Sequence, residues 1–225
     1  MLSWLPENVS TYGAEIDRIF TIIYYITAFS CVAVLLGMVY FVIRYRARPG
    51  GRAIYSHGNT TLEIIWTIVP TLVFVMIGVM SVSVWDDVKG SIPETDMEVM
   101  VEGSQFNWTM TYPGADGRFG SQDDVKLENL LVVPVDSPIR VTLTAKDVIH
   151  SFFVPQLRLK QDAVPGRQIG VWFEATATGE YEIPCAELCG FGHSNMKGIL
   201  RVQSSEEFEA WASDKKALPE RRPGQ

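Results

Sequence analysis

Two long stretches without a charged residue constrain this chain more than any other feature. Residues 19–43 and 64–85 contain no Asp, Glu, Lys or Arg. A helix rises about 1.5 Å per residue and the hydrocarbon core of a bilayer is about 30 Å thick, so each stretch is long enough to cross it. The sequence therefore predicts a hairpin of two transmembrane helices, at about 19–43 and 61–85, joined by a loop at 44–60. Two helices buried inside a soluble protein are the weaker alternative.

The charges that flank these stretches predict the orientation of the hairpin. The loop at 44–60 contains Arg44, Arg46, Arg48 and Arg52 and no acidic residue before Glu63. Short basic loops stay on the cytoplasmic side of a membrane. Residues 1–18 carry mostly acidic charge, unlike the basic start of a secretory signal. We therefore expect both termini on the extracytoplasmic side, as in a bacterial inner membrane; a mitochondrial inner membrane would give the same topology.

From Asp86 onward the sequence is typical of a β-rich domain. Short segments rich in Val, Ile, Thr and aromatic residues alternate with turn residues. This pattern predicts an antiparallel β-sandwich at 87–213 and a flexible tail at 214–225, which makes the whole chain an α+β membrane protein. The same part of the chain holds 22 of the 26 acidic and 14 of the 19 basic residues. Its negative charge opposes nucleic-acid binding and could attract a basic partner.

The densest group of metal-binding side chains lies at 185–196, in the segment C-A-E-L-C-G-F-G-H-S-N-M. It offers two thiols, an imidazole and a thioether, from Cys185, Cys189, His193 and Met196. A second imidazole, His150, follows a strand-like segment. Soft thiolate and thioether ligands beside imidazole favour copper. On residue types alone, a structural zinc ion and a disulfide between the two cysteines remain open, and the thioether is what favours copper.

These motifs resemble those of subunit II of the cytochrome c oxidases. The stretch H-S-F-F-V-P-Q-L-R-L-K-Q-D-A-V-P-G-R at 150–167 and the 185–196 segment are similar to the copper domain of that family. The stretch H-G-N-T-T-L-E-I-I-W-T-I-V-P at 57–70 is similar to the start of its second helix. The resemblance implies a cupredoxin-like sandwich on the helical hairpin. It also implies that the chain accepts electrons from a c-type cytochrome and passes them to haem in subunit I, where oxygen is reduced to water and protons are pumped.

The resemblance further implies the ligands of a dinuclear copper centre. They are Cys185 and Cys189 as bridges, His150 and His193 as terminal ligands, and Met196 and the backbone carbonyl of Glu187 as weak axial ligands. The Glu187 carboxylate would reach a magnesium or manganese ion shared with subunit I. Protein groups fill every copper position, whereas a catalytic metal keeps one open. The centre should therefore relay electrons, and oxygen should be reduced elsewhere in the complex.

The resemblance places electron uptake at the aromatic stretch G-S-Q-F-N-W-T-M-T-Y, residues 103–112. Phe106 stands where the family usually has tryptophan, and Trp108 matches the next tryptophan. Asp147 matches an acid of the docking surface, but Lys146 stands where a second acid is common. These departures predict a donor contact that differs from the usual one.

Glu63 has two compatible interpretations. With Thr60 it has the spacing of a capping box at the start of the second helix. By resemblance it matches the acid at the mouth of a proton-uptake path into subunit I.

Two other functions remain open on the sequence, and a third does not fit it. A quinol oxidase subunit would lack the copper ligands, and none of them is missing here. A nitric oxide reductase could use the same copper domain. A membrane-tethered copper-delivery protein would lack a tightly associated haem subunit.

Overall fold

The computed structural model describes residues 2–52, 55–90, 92–95 and 97–215. The chain divides into two compact units. The helical unit contains Glu15–Asp86. The β-domain unit contains Trp4–Ala14 together with the chain from Asp87 onward.

The helical unit is built from two long helices, α1 (Gly13–Arg44) and α2 (Thr60–Trp85). Both are long and apolar enough to cross a membrane. α1 begins at Gly13, earlier than the predicted residue 19. The prediction stopped at the last charge before the apolar stretch, whereas a helix can continue through charged residues. Glu15 lies in the first turn, where a carboxylate stabilises the helix dipole, and it pairs with Arg18 at 3.7 Å.

The start of α2 is capped by Asn59, one residue before the predicted capping box. The Asn59 side chain accepts a hydrogen bond from the Leu62 backbone N–H at 3.1 Å. Asn is among the strongest N-cap residues, so it takes the position that the sequence analysis gave to Thr60. After Trp85 the chain continues as a short π-helical turn, Asp86–Gly90.

The described residues of the β-domain form ten strands in three sheets. The strands are β1 (Glu98–Ser104), β2 (Asn107–Tyr112), β3 (Val125–Glu128), β4 (Leu130–Pro134), β5 (Pro138–Ala145), β6 (His150–Val154), β7 (Leu159–Ala163), β8 (Ile169–Glu174), β9 (Gly179–Pro184) and β10 (Lys197–Gln203). The sheet orders are β3-β2-β1-β5-β8, β4-β10-β9 and β6-β7. Most neighbours are antiparallel, as predicted, but β1 pairs with β5 and β4 pairs with β10 in parallel. Side-chain alternation is the same in both kinds of pair, so the sequence could not reveal this difference.

The core of the β-domain follows the period-two pattern of its strands. In β1 and β5, alternate side chains are buried. Tyr112 is fully buried, and its hydroxyl hydrogen-bonds to one residue of β4. The hydroxyl donates to the Val132 carbonyl at 2.9 Å and accepts from the Val132 N–H at 2.7 Å. The hydroxyl thereby satisfies backbone groups at the free edge of β4.

The N-terminal segment, residues 4–14, packs on the β-domain. Val9 is buried, and its backbone N–H donates to the Gln156 carbonyl at 3.0 Å. The Tyr12 ring meets the Trp172 ring edge-on with centroids 5.3 Å apart, and its hydroxyl donates to the Trp172 carbonyl at 3.3 Å. The segment thus belongs to the β-domain, although a transmembrane hairpin separates the two in sequence.

A last helix, α3 (Ser205–Lys215), follows β10. Ser204 and Glu207 form the capping box at its start, because each side chain accepts a backbone N–H of the other. Trp211 packs against Tyr112 with ring centroids 5.2 Å apart. Helix α3 extends through residue 215, so the start of the predicted tail at 214 is helical. The remainder of that tail lies outside the described residues.

Candidate metal centre

The predicted ligands come from two neighbouring parts of the β-domain. His150 is the first residue of β6. The ligand loop, residues 185–196, connects β9 to β10. Its ends are joined because the Cys185 N–H donates to the Met196 carbonyl at 3.0 Å. A bridge between Phe152 and Cys185 brings the loop beside β6.

The two thiols and the two imidazoles form a continuous row of donor atoms. Cys185 Sγ lies 3.9 Å from His150 Nδ1 and 3.9 Å from Cys189 Sγ. Cys189 Sγ lies 3.7 Å from His193 Nδ1. Both cysteines are free, so the predicted disulfide alternative is not formed in this structure. Each histidine therefore adjoins a different thiol.

Two weaker donors complete the row, again one for each thiol. The Glu187 carbonyl oxygen lies 3.3 Å from Cys185 Sγ. Met196 Sδ lies 3.8 Å from Cys189 Sγ. All six predicted ligand positions thus meet in one place, and each cysteine has one imidazole and one weak donor beside it.

These distances fit metal coordination. Two donors bound to one ion in tetrahedral geometry, at about 2.3 Å for sulfur and about 2.0 Å for nitrogen, lie roughly 3.6 Å apart. The thiol–imidazole separations of 3.7 and 3.9 Å are close to that value. His150, Cys185 and Cys189 all lie within 4.8 Å of one another. The donor set, two thiols with imidazole and thioether, is one that suits copper.

The centre is buried on the side of His150 and more open on the side of His193. His150, Met196 and both cysteines are buried, whereas His193 is partly exposed. Burial and the neighbouring Cys185 thiol raise the pKa of Cys189 to about 11. The metal-free thiol is therefore protonated at neutral pH, and metal binding has to release its proton.

Asp147 orients His150 rather than facing solvent freely. Nε2 of His150 donates to Asp147 Oδ1 at 2.8 Å, which leaves Nδ1 turned toward Cys185. Burial alone would raise the pKa of Asp147. The hydrogen bonds that it accepts, from His150 and from the N–H groups of Gln105 and Val148, outweigh burial and lower the pKa to about 2. The carboxylate is thus ionised and held in place, as is usual for a group that orients a metal ligand.

The two aromatic residues predicted for electron uptake occupy different environments. Phe106 is 38% exposed, and its ring covers Gly190 and Gly192 of the ligand loop. Trp108 is fully buried, with its ring 6.0 Å from the His150 ring. A side chain without exposed surface cannot touch a docked donor, so Trp108 does not belong to a docking surface. Polar and apolar residues alternate along β2, which agrees with the buried position of Trp108.

Glu187 and Glu63, the two glutamates predicted as site residues, belong to different units of the chain. Glu187 has an exposed side chain, while its carbonyl points to Cys185. Glu63 lies in the first turn of α2, in the helical unit, where its carboxylate lies over Gly58.

Gln105 contacts the metal centre but was not among the residues predicted from the sequence. Its side-chain amide donates to the Cys189 carbonyl at 2.5 Å, and its backbone N–H donates to Asp147 Oδ2 at 2.7 Å. The one available signal was its position next to Phe106 in the aromatic stretch.

Comparison with known proteins shows the family to which the chain belongs. A sequence model described as the periplasmic domain of cytochrome c oxidase subunit II matches residues 97–203, and one described as its transmembrane domain matches residues 3–84. An alternative cytochrome c oxidase subunit 2 from Bradyrhizobium diazoefficiens is 34% identical over 96% of this chain and 84% of its own length. A cytochrome c oxidase subunit 2 from Thermostichus vulcanus is 31% identical over 95% of this chain and 79% of its own length.

A solved structure is also similar. The crystal structure of the periplasmic domain of cytochrome oxidase subunit II from Bradyrhizobium japonicum is 34% identical and superimposes with a TM-score of 0.50, over 56% of this chain and 97% of that one. Because the two family models together cover both the helical hairpin and the β-domain, this membrane protein belongs to the cytochrome c oxidase subunit II family.

Proposed function

We propose that this chain is the electron-accepting subunit of a haem-copper terminal oxidase and that the ligand loop with His150 holds a dinuclear copper centre. One observation carries the proposal: each of two adjacent thiols has its own imidazole and its own weak donor. A single zinc ion would need four donors around one point. Two half-sites that share a pair of thiols instead suit two ions bridged by thiolates.

The residues of this chain would bind and shield the copper pair. Cys185 and Cys189 lose their protons on binding, and His150 is held by Asp147 with Nδ1 toward the site. A copper pair held by these residues would supply one-electron transfer with little structural change. Burial of His150, Met196 and both thiols limits the access of water, so the surroundings reorganise little when the charge changes.

The donor in this proposal is a c-type cytochrome, and the acceptor is haem in subunit I. Phe106 supports uptake on the side of His193, because it is partly exposed and lies on the backbone between Cys189 and His193. Reduction of oxygen with proton pumping would take place in subunit I, since this site has no open metal position. Glu187 would share a magnesium or manganese ion with subunit I, and Glu63 would lie at the mouth of its proton path.

We also propose that the β-domain and both termini lie outside the cytoplasm, in an inner membrane crossed by α1 and α2. The N-terminal segment supports this, because it packs on the β-domain and must therefore be on the same side of the membrane as that domain. The arginines between the helices support a cytoplasmic loop.

Copper stoichiometry tests the proposal most directly. The full chain, purified in detergent and stripped of metal, would be titrated with copper and examined by electron paramagnetic resonance. We expect two coppers per chain and a signal from one unpaired electron shared by two copper nuclei. Cys185→Ser should abolish the shared signal, whereas Cys31→Ser, in α1, should leave it unchanged. One copper per chain, or preferential uptake of zinc, would contradict the proposal.

The donor is tested by mixing the copper-loaded chain with a reduced c-type cytochrome and following both absorption spectra. We expect rapid reduction of the copper centre, slowed in Phe106→Ala variants whose resonance signal is intact. Retention of the subunit in the membrane without any co-purifying haem protein would favour the copper-delivery alternative.

A further inference from the structure

The turn between β1 and β2 lies outside the ligand loop but contacts both halves of the metal centre. β1 ends at Ser104 and β2 begins at Asn107, so the turn consists of Gln105 and Phe106. No predicted copper ligand comes from this turn. Its contacts nevertheless reach the segments that carry Cys189, His193 and His150.

The Gln105 side chain holds the peptide that follows Cys189. Its Nε2 donates to the Cys189 carbonyl oxygen at 2.5 Å. The next residue, Gly190, has a φ of +138° and approaches so closely that an added Cβ would lie 2.8 Å from the same Nε2 atom. The positive φ requires a glycine there, and an added Cβ would also displace the Gln105 amide. The amide therefore fixes the backbone where the chain leaves one bridging thiol and turns toward His193.

The Gln105 backbone holds the opposite half of the centre. Its N–H donates to Asp147 Oδ2 at 2.7 Å, and Asp147 Oδ1 accepts from His150 Nε2 at 2.8 Å. One residue is thus joined by a direct hydrogen bond to the Cys189 peptide and through one carboxylate to His150. The Phe106 ring adds a packing contact on Gly192, next to His193.

We propose that Gln105 is a positioning residue for the dinuclear copper centre, which sets the spacing between the Cys189–His193 half and the Cys185–His150 half. This inference rests on the proposed function. A carbonyl oxygen that accepts a hydrogen bond from a fixed amide cannot rotate freely, so the thiol on the same residue keeps its direction. Loss of the amide leaves that carbonyl without this donor and frees the loop, while the backbone contact to Asp147 remains.

Gln105→Leu tests the proposal because it retains the bulk and the backbone N–H and removes only the amide. We expect copper release to a chelator to become about tenfold faster, in the range found when groups that orient metal ligands are removed. The resonance splitting and the reduction potential should also shift. Gln105→Asn retains an amide on a shorter side chain and should lie between the wild type and Gln105→Leu.

Gln122→Leu, at an exposed position in the hairpin between β2 and β3, is the matched control. A release rate in Gln105→Leu equal to that of the wild type, or an equal effect in Gln122→Leu, would overturn the proposal. If Gln105→Leu does not fold, a wild-type release rate and wild-type splitting in Gln105→Asn would overturn it. A wild-type chain that binds no copper pair would instead refute the proposed function, so the two failures are distinct.

Discussion

The Nε2 atom of His150 lies 2.8 Å from the Oδ1 atom of Asp147, so that the other ring nitrogen of this histidine faces the thiol of Cys185. A carboxylate can only accept, which fixes the proton on Nε2 and leaves the lone pair on Nδ1 for a metal. Asp147 was predicted from the resemblance as a docking acid. In the structure, Asp147 also orients the His150 ring.

Replacement of Asp147 should weaken metal binding. In Asp147→Ala the His150 ring loses its acceptor and can turn, and we expect about 10- to 100-fold lower copper affinity. Competition with a chelator of known affinity measures this. Asp214→Ala, on the exposed surface of α3, should bind copper like the wild type. An equal loss in both variants would point to a general charge effect instead.

A side chain at Gly192 should collide with Phe106. An added Cβ would lie 2.5 Å from Phe106 Cδ2, while φ and ψ of −89° and 8° suit any residue. Gly192→Ala should therefore lower the free energy of unfolding by roughly 1–3 kcal/mol, as overpacking does. Denaturant unfolding of the metal-free chain in detergent measures it.

The cause of that loss can be isolated with a double variant. Because the clash involves one ring, Phe106→Ala combined with Gly192→Ala should cost less than the sum of the single changes. Ser194→Ala, in the same loop and exposed, is the control and should change stability little. Strict additivity would show that the ring does not limit this position.

Tyr112→Phe should destabilise the β-domain. The hydroxyl is buried and bonded to both backbone groups of Val132, and its removal leaves a buried N–H and a buried carbonyl without that partner. We expect a loss of roughly 1–3 kcal/mol. Tyr181→Phe is a matched control, because that partly exposed hydroxyl makes longer hydrogen bonds, of 3.2 and 3.4 Å, to Ala177 and Thr178. Equal melting temperatures for the two variants would contradict this account.

The topology can be tested by chemical labelling. In a background without the native cysteines, Glu7→Cys should react with a membrane-impermeant maleimide in intact spheroplasts, because the N-terminal segment packs on the β-domain, which we propose to lie outside the cytoplasm. Ser56→Cys, between α1 and α2, should react only after the membrane is opened. The reverse pattern would place the β-domain in the cytoplasm.

The sequence pointed to the six groups that the structure brings together, but to little of what holds them in place. Hydrophobic stretches without charge indicate helices because a bilayer penalises charge, and thiols with imidazole and thioether identify a soft-metal site by their chemistry alone. The role of Gln105 depends on hydrogen bonds to residues about 40 and 80 positions away in the chain. A short-range pattern in the sequence does not encode contacts over such distances.

The errors at boundaries and in pairing have similarly physical causes. α1 starts before the uncharged stretch because Glu15 and Arg18 are compatible with a helix in water. The parallel β1–β5 pair depends on how strands meet, and strand alternation does not encode the partner.

The contact between Tyr12 and Trp172 has a consequence for biosynthesis. Residues 4–14 leave the ribosome early, but their partners around Trp172 are made only after both helices and most of the strands. Contacts between such distant residues form late, because a long loop must close first. The N-terminal segment can therefore dock only after the β-domain has been synthesised and folded. Docking of this segment would then be a last step of folding, so its resistance to proteases would show that the whole chain has folded.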